Sequence, residues 1–142
     1  MTRYVLDTTI LSNVTKQTPV QRVLDWLNGQ DQALLFVATF SLAEIERGVR
    51  ERAPGRKRDG LEAWFLGPLG PKLAFAGRVL SFDEAAATEW ARLMAEGTAA
   101  GAPRSATDMI IAATAAANDC AVATLNDRHF RGAVPVVNPA LT

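Results

Sequence analysis

An α/β fold, with helices layered on both sides of a mostly parallel sheet, is what this sequence predicts, and three observations carry the prediction. Short apolar runs alternate with longer stretches of helical spacing along the chain, the pattern of strands joined by crossover helices. The run at 33–38, Ala-Leu-Leu-Phe-Val-Ala, has no polar position, as expected of a strand covered on both faces. Residues 105–119 are apolar almost all round, which marks a helix buried at the centre. A chain of 142 residues buries roughly 68–70% of the surface it exposes when unfolded, so a single domain spanning residues 1–142 is expected.

The elements follow in order. Residues 3–6 form a β-rich run that ends in Asp7-Thr8-Thr9 and passes into a helix start at Ile10-Leu11. Val20, Val23, Leu24 and Leu27 recur at helical spacing, with Gly29 as a stop. After the strand at 33–38, Leu42, Ile45 and Val49 place a helix over 41–52, broken by Pro54-Gly55. Another helix is predicted over about 58–65, followed by a Gly/Pro-rich stretch through Gly70-Pro71. Arg78-Val79-Leu80 is a short strand, and 83–96 a helix stopped by Gly97. The buried helix at 105–119 leads to two closing strands, 121–124 and 134–137. Connections in such a sheet are right-handed, and its site lies beyond the carboxyl ends of the strands. Asp7 and the segment after Thr124 fall there.

Composition narrows the chemistry. Hydrophobic residues at 49% and charged residues at 21% exclude a disordered chain. No apolar run approaches the ~20 residues of a membrane span, and the run before Asp7 is too short for a signal-peptide core. The single Cys120 excludes an internal disulfide and points to a reducing, cytoplasmic setting. One histidine, His129, cannot build a zinc site or supply both general acid and general base. Carboxylates must carry the polar chemistry. The chain is neutral, yet residues 47–58 hold Arg47, Arg50, Arg52, Arg56, Lys57 and Arg58 against Glu51 alone. That local excess reads either as a polyanion-facing patch or as a solvated helix end.

Three acids stand at the strand-exit or helix-entry level: Asp7, Glu44 and Asp108. Each also has a structural explanation. Asp7 can N-cap a helix; Ser41-Leu42-Ala43-Glu44 and Ser105-Ala106-Thr107-Asp108 fit the capping box, as does Ser81-Phe82-Asp83-Glu84; and Asp108 can pair with Arg104 one turn earlier. If the three converge, two carboxylates 4 Å apart repel by ~4 kcal/mol at an effective dielectric of 20. A proton or a cation must then sit among them. Oxygen ligands without sulfur or imidazole clusters select a hard ion, Mg²⁺ or Mn²⁺, and such an ion is suited to phosphodiester displacement.

These residues resemble the motifs of PIN-domain nucleases, and more narrowly those of the VapC and FitB toxins of type II toxin–antitoxin pairs. Val5-Leu6-Asp7-Thr8-Thr9-Ile10-Leu11-Ser12 resembles their opening motif, 41–48 with Glu44 the second, and 106–115 with Asp108 the third. Residues 123–130, followed by Val137-Asn138-Pro139, resemble the fourth motif and the last strand. The resemblance covers essentially the whole chain. It implies a PIN-like α/β/α sandwich and a Mg²⁺- or Mn²⁺-dependent endoribonuclease acting on RNA, transfer RNA among the candidates. It also implies a homodimer and a cognate VapB-like antitoxin. In the fourth motif Leu125 stands where arginine is usual and Asn126 at the usual acidic or amide position, which leaves Asp127 as either a fourth acid of the site or a loop residue.

Thr8, Arg47 and Asn126 become candidate substrate contacts beside Asp7, Glu44 and Asp108. Thr124 and Ser12 read as ordinary hydrogen-bonding residues, His129 as a surface loop residue, Cys120 as core, and Trp26, Trp64 and Trp90 as core or partner contacts on three helices. Two other readings compete. A catalytically silent PIN-like interaction module would use its acids only as caps. A phosphohydrolase with an aspartyl nucleophile would want a second Asp two residues after Asp7, where the chain has Thr9.

Overall fold

The first strand, β1 (Tyr4–Leu6), lies in the middle of a five-stranded sheet. It pairs in parallel with β2 (Leu35–Ala38) on one side, Val5 opposite Phe36, and with β4 (Ala121–Ala123) on the other, Val5 opposite Val122. Outside them lie β3 (Val79–Leu80) next to β2 and β5 (Val136–Val137) next to β4, also parallel. The helices are α1 (Thr8–Asn13), α2 (Gln21–Asn28), α3 (Thr39–Arg50), α4 (Arg56–Leu66), α5 (Pro71–Ala74), α6 (Glu84–Ala99) and α7 (Ala106–Ala117), with single 3₁₀ turns at Gln32–Leu34, Asp127–His129 and Pro139–Leu141. This computed structural model describes all residues from 1 to 142. No helix is long and apolar enough to cross a membrane.

The two-residue period of a strand separates the core into two faces. Val5, Ala38 and Val122 turn to one side and meet Leu93 of α6, Phe130, and Met109, Ile111, Ala112 and Ala115 of α7. Leu6, Leu35, Val37 and Ala123 turn to the other and meet Ile10, Leu11, Val23, Ile45 and Phe65 on α1 to α4. That makes three layers, α/β/α, as the sequence predicts. The central strands are apolar throughout because the sheet is covered on both faces.

Because all five strands run the same way, their carboxyl ends share one edge. The chain proceeds outward from β1 to β2 and β3, then returns to the other side of β1 for β4 and β5. The switch between the two directions lies between β1 and β4, where a crevice forms outside the strand ends. Asp7 follows β1 directly and Thr124 follows β4 directly.

Several boundaries differ from the sequence expectation. Helix α3 starts at Thr39, since β2 runs into it without a loop, and Thr39 Oγ1 donates to the Leu80 carbonyl at 3.1 Å. Ser41 is therefore inside the helix rather than its cap, and Glu44 lies beyond the first turn. Helix α6 is capped by Asp83, whose carboxylate accepts the Ala86 N–H at 3.0 Å; Ser81 lies outside it. Gly97 is within α6, not its stop: a Cβ there would stand 2.9 Å from Arg104 Cγ and 3.0 Å from the Ala102 carbonyl. The stretch around Gly70-Pro71 holds an extra turn, α5, entered by Gly70 where the chain passes so close to α4 that a Cβ would lie 1.9 Å from the Trp64 carbonyl oxygen.

The displaced Ser41 has a cost. Its hydroxyl is fully buried and is the one buried side-chain polar atom with no hydrogen-bond partner. Removing such a group recovers its desolvation penalty. Ser41→Ala is expected to leave stability unchanged or raise it by up to about 1 kcal/mol; a capping serine would instead lose about that much. Denaturant midpoints of the two proteins check the sign.

Candidate metal centre

Asp7 is 4% exposed and has extended backbone at the start of α1, but its side chain caps nothing. Its Oδ2 instead accepts two hydroxyls, Thr124 Oγ1 at 2.7 Å and Thr9 Oγ1 at 3.0 Å. Each hydroxyl in turn accepts a backbone N–H from the turn after β4: Asn126 N–H to Thr124 at 2.9 Å, and Leu125 N–H to Thr9 at 3.1 Å. A hydroxyl has one proton to give, and here the strand-exit backbone holds the lone pair so that the proton goes to the carboxylate. The donors leave Oδ1 free of side-chain partners. Thr124 makes the strand-end hydrogen bond the sequence suggests and, beyond it, supports Asp7.

Glu44 projects from α3 towards the same edge, and Thr8 Oγ1 donates to its Oε1 at 2.6 Å. Thr8, expected to face substrate, spends its hydroxyl on Glu44. Asp108 lies in the first turn of α7. Ser105 Oγ accepts the Asp108 N–H at 3.3 Å, so Ser105 is the cap, while the Asp108 carboxylate turns to His129, Oδ2 to Nδ1 at 3.1 Å. Arg104 does not pair with Asp108; its guanidinium donates to the Leu93 and Gly132 carbonyls. None of the three acids therefore acts as a cap.

Their electrostatics are linked. Burial pushes the Asp7 carboxyl above its ordinary range, the charge of Asp108 adds to the rise, and the bonds from Thr124, Thr9 and the Thr8 backbone oppose it. Burial also raises Glu44, with Asp7 and Asp108 adding to it, against the Thr8 hydroxyl and the Arg47 charge. No three acidic, histidine or cysteine side chains stand close enough together to enclose an ion as they lie. The set is nonetheless that of a hard cation: carboxylates only, mutually repelling, at one sheet edge.

The remaining expected residues sit differently. Asp127 is engaged by Asn138 Nδ2 at 3.0 Å and Arg131 at 2.5 Å, and these two hold its carboxyl below the usual range. It ties the 3₁₀ turn after β4 to the end of β5. Asn126 is exposed, with its N–H on Thr124. Arg47 meets Glu51 at 3.1 Å on the exposed face of α3, although its charge reaches Glu44. His129 is exposed in the turn after β4, as the sequence suggests, and the fold also brings its ring onto Asp108. Nothing local in the sequence marks that contact, which spans 21 positions.

A carboxyl whose folded pKa is raised keeps its proton where the unfolded chain has lost it. Its contribution to stability is then greatest below the ordinary carboxyl range and declines as pH rises through the folded value. Metal-free Asp7→Asn should accordingly melt a few degrees above the wild type at neutral pH, and the gap should close as pH falls below the carboxyl range. Thermal melts in EDTA across pH 3–8 measure it. A variant that melts lower than the wild type at every pH would mean that the ionised carboxylate is itself stabilising.

Comparison with known proteins places this geometry. The PIN domain family model matches residues 4–134. The chain is 35% identical to the VapC ribonuclease Y4jK of Sinorhizobium fredii and 32% identical to the toxin FitB of Neisseria gonorrhoeae, over 95% of its own length and 96% of each relative. The crystal structure of FitAcB from Neisseria gonorrhoeae superposes with a TM-score of 0.89 at 32% identity, over 96% of this chain and 97% of that one. With four motifs in order, the acids at the strand switch point and a match along nearly its full length, this chain belongs to the PIN-domain family, among the VapC/FitB toxins of toxin–antitoxin systems.

Proposed function

We propose that the protein is an endoribonuclease dependent on Mg²⁺ or Mn²⁺, with Asp7, Glu44 and Asp108 holding the ion, and that a VapB-like antitoxin restrains it. The observation that carries the proposal is the mutual charge of three acids gathered at one sheet edge, two of which are raised in pKa by burial and by their neighbours. A carboxylate triad that stabilised the fold by capping would not bear that penalty. A bound divalent ion supplies positive charge to a phosphate oxygen and a water acidified towards neutrality. RNA is the substrate class because the VapC relative is named a ribonuclease. The antitoxin and a homodimer are proposed from the same kinship.

The chain's own residues divide the work. Thr124 and Thr9 hold Oδ2 of Asp7; Thr8 holds one oxygen of Glu44; His129 holds one oxygen of Asp108. With one oxygen of each acid held in this way, the three carboxylates would need less reorganisation to hold an ion. Apolar neighbours on β1 and α7 exclude water from behind the site and strengthen its field.

Asp108→Ala or Glu44→Gln should lower RNA cleavage by 10²-fold or more while leaving far-ultraviolet dichroism unchanged. The wild type should gain thermal stability on addition of millimolar Mn²⁺, and the variants should gain much less. Undiminished cleavage by either purified variant overturns the assignment of the acids.

A further inference from the structure

An acidic edge repels the phosphates of the strand it is to cut, so positive charge has to stand beside it. On the Asp108 side there is such a surface. A cleft of about 360 Å³ lies between the α6–α7 loop and the turn after β4, with Arg104, Ser105, Arg128, His129 and Arg131 among its lining and no acidic residue. His129 belongs to both places: its ring lines the cleft, and its Nδ1 meets Oδ2 of Asp108 at 3.1 Å. One imidazole separates the cleft from a candidate metal ligand.

The cleft is braced from within. The guanidinium of Arg104 donates to the Leu93 carbonyl at 2.7 Å and the Gly132 carbonyl at 3.2 Å, which joins its two walls, and also lies 3.6 Å from Glu96. Arg131 is held by Asp127 at 2.5 Å. Arg128 is exposed, follows Asp127 in the same turn and forms no ion pair. A fixed framework thus presents one uncommitted cation.

The basic segment at 47–58, which the sequence leaves open as a polyanion-facing patch or a solvated helix end, is less suited. Arg47 and Arg50 are engaged along α3 with Glu51 and Glu46. The cleft beside Arg50, Arg58 and Lys72 is lined by Glu46 and Glu62 as well. A polyanion there meets walls of mixed sign.

We propose that the cleft formed by Arg104, Arg128, His129 and Arg131 is a phosphodiester subsite that takes the backbone of single-stranded RNA next to the scissile bond, with Arg128 as its principal phosphate contact. The substrate class rests on the ribonuclease reading; the cleft and its charge do not. RNA is favoured over an acidic protein segment because His129 both lines the cleft and touches Asp108, beside which the reacting phosphate has to lie.

Binding of a fluorescein-labelled single-stranded RNA, read by anisotropy in EDTA at several salt concentrations, tests the subsite without requiring hydrolysis. Arg128→Gln should weaken binding about threefold to tenfold at low salt and flatten the salt slope by about 0.7, the value of one phosphate contact on a single strand. Arg128→Lys should retain most of the affinity. Arg22→Gln, which removes the same charge from α2, should change neither. Unchanged affinity and slope in Arg128→Gln, an equal loss in Arg22→Gln, or no RNA binding by the wild type overturns the subsite. Failure of the wild type to cleave with Mn²⁺, with the Arg128 effect intact, counts against the ribonuclease reading and leaves the subsite standing.

Discussion

Burial of the Asp7 carboxylate is the constraint around which the rest of the site is arranged. A carboxylate at 4% exposure is sustained only if hydrogen bonds replace the water it has lost. The sheet provides them because β1 and β4 are parallel neighbours: their ends exit together, and the turn after β4 brings Thr124 onto Asp7 while its N–H groups orient both threonines. The same parallel edge delivers α3 and α7, and with them Glu44 and Asp108. What the hydrogen bonds do not supply is positive charge. The remaining repulsion is the reason a cation is proposed there.

The layers were readable because they depend on local pattern. Apolar strands and the all-round apolar helix α7 announce a doubly covered sheet, and Asp7, Glu44 and Asp108 fall at its carboxyl edge by counting alone. The supports of those acids were not readable. Thr124 reaches Asp7 across 117 positions and His129 reaches Asp108 across 21, and no periodicity encodes such pairs.

Capping signatures misled for a related reason. Ser41-x-x-Glu44 and Ser105-x-x-Asp108 have the same spelling, yet the first lies inside a helix that begins at Thr39 and the second truly starts one. The difference comes from whether a loop precedes the helix, which tertiary structure decides. Charge counting was likewise incomplete. The densest basic segment pairs part of its charge along α3, whereas Arg104 joins Arg128 and Arg131 in one cleft with His129, the residue that meets Asp108.

The position of β1 has a consequence for how the molecule comes into being. The central strand needs neighbours on both sides, and its partner β4 comes far later in the sequence, Leu6 opposite Ala123. Contacts so remote form late, after the loop between them has been closed. While a ribosome is still translating the α7 region, Asp7 has no threonine from β4, no dry enclosure and no Asp108 held in place. The supports of Asp7 are therefore not complete until β4 and the turn after it have been made.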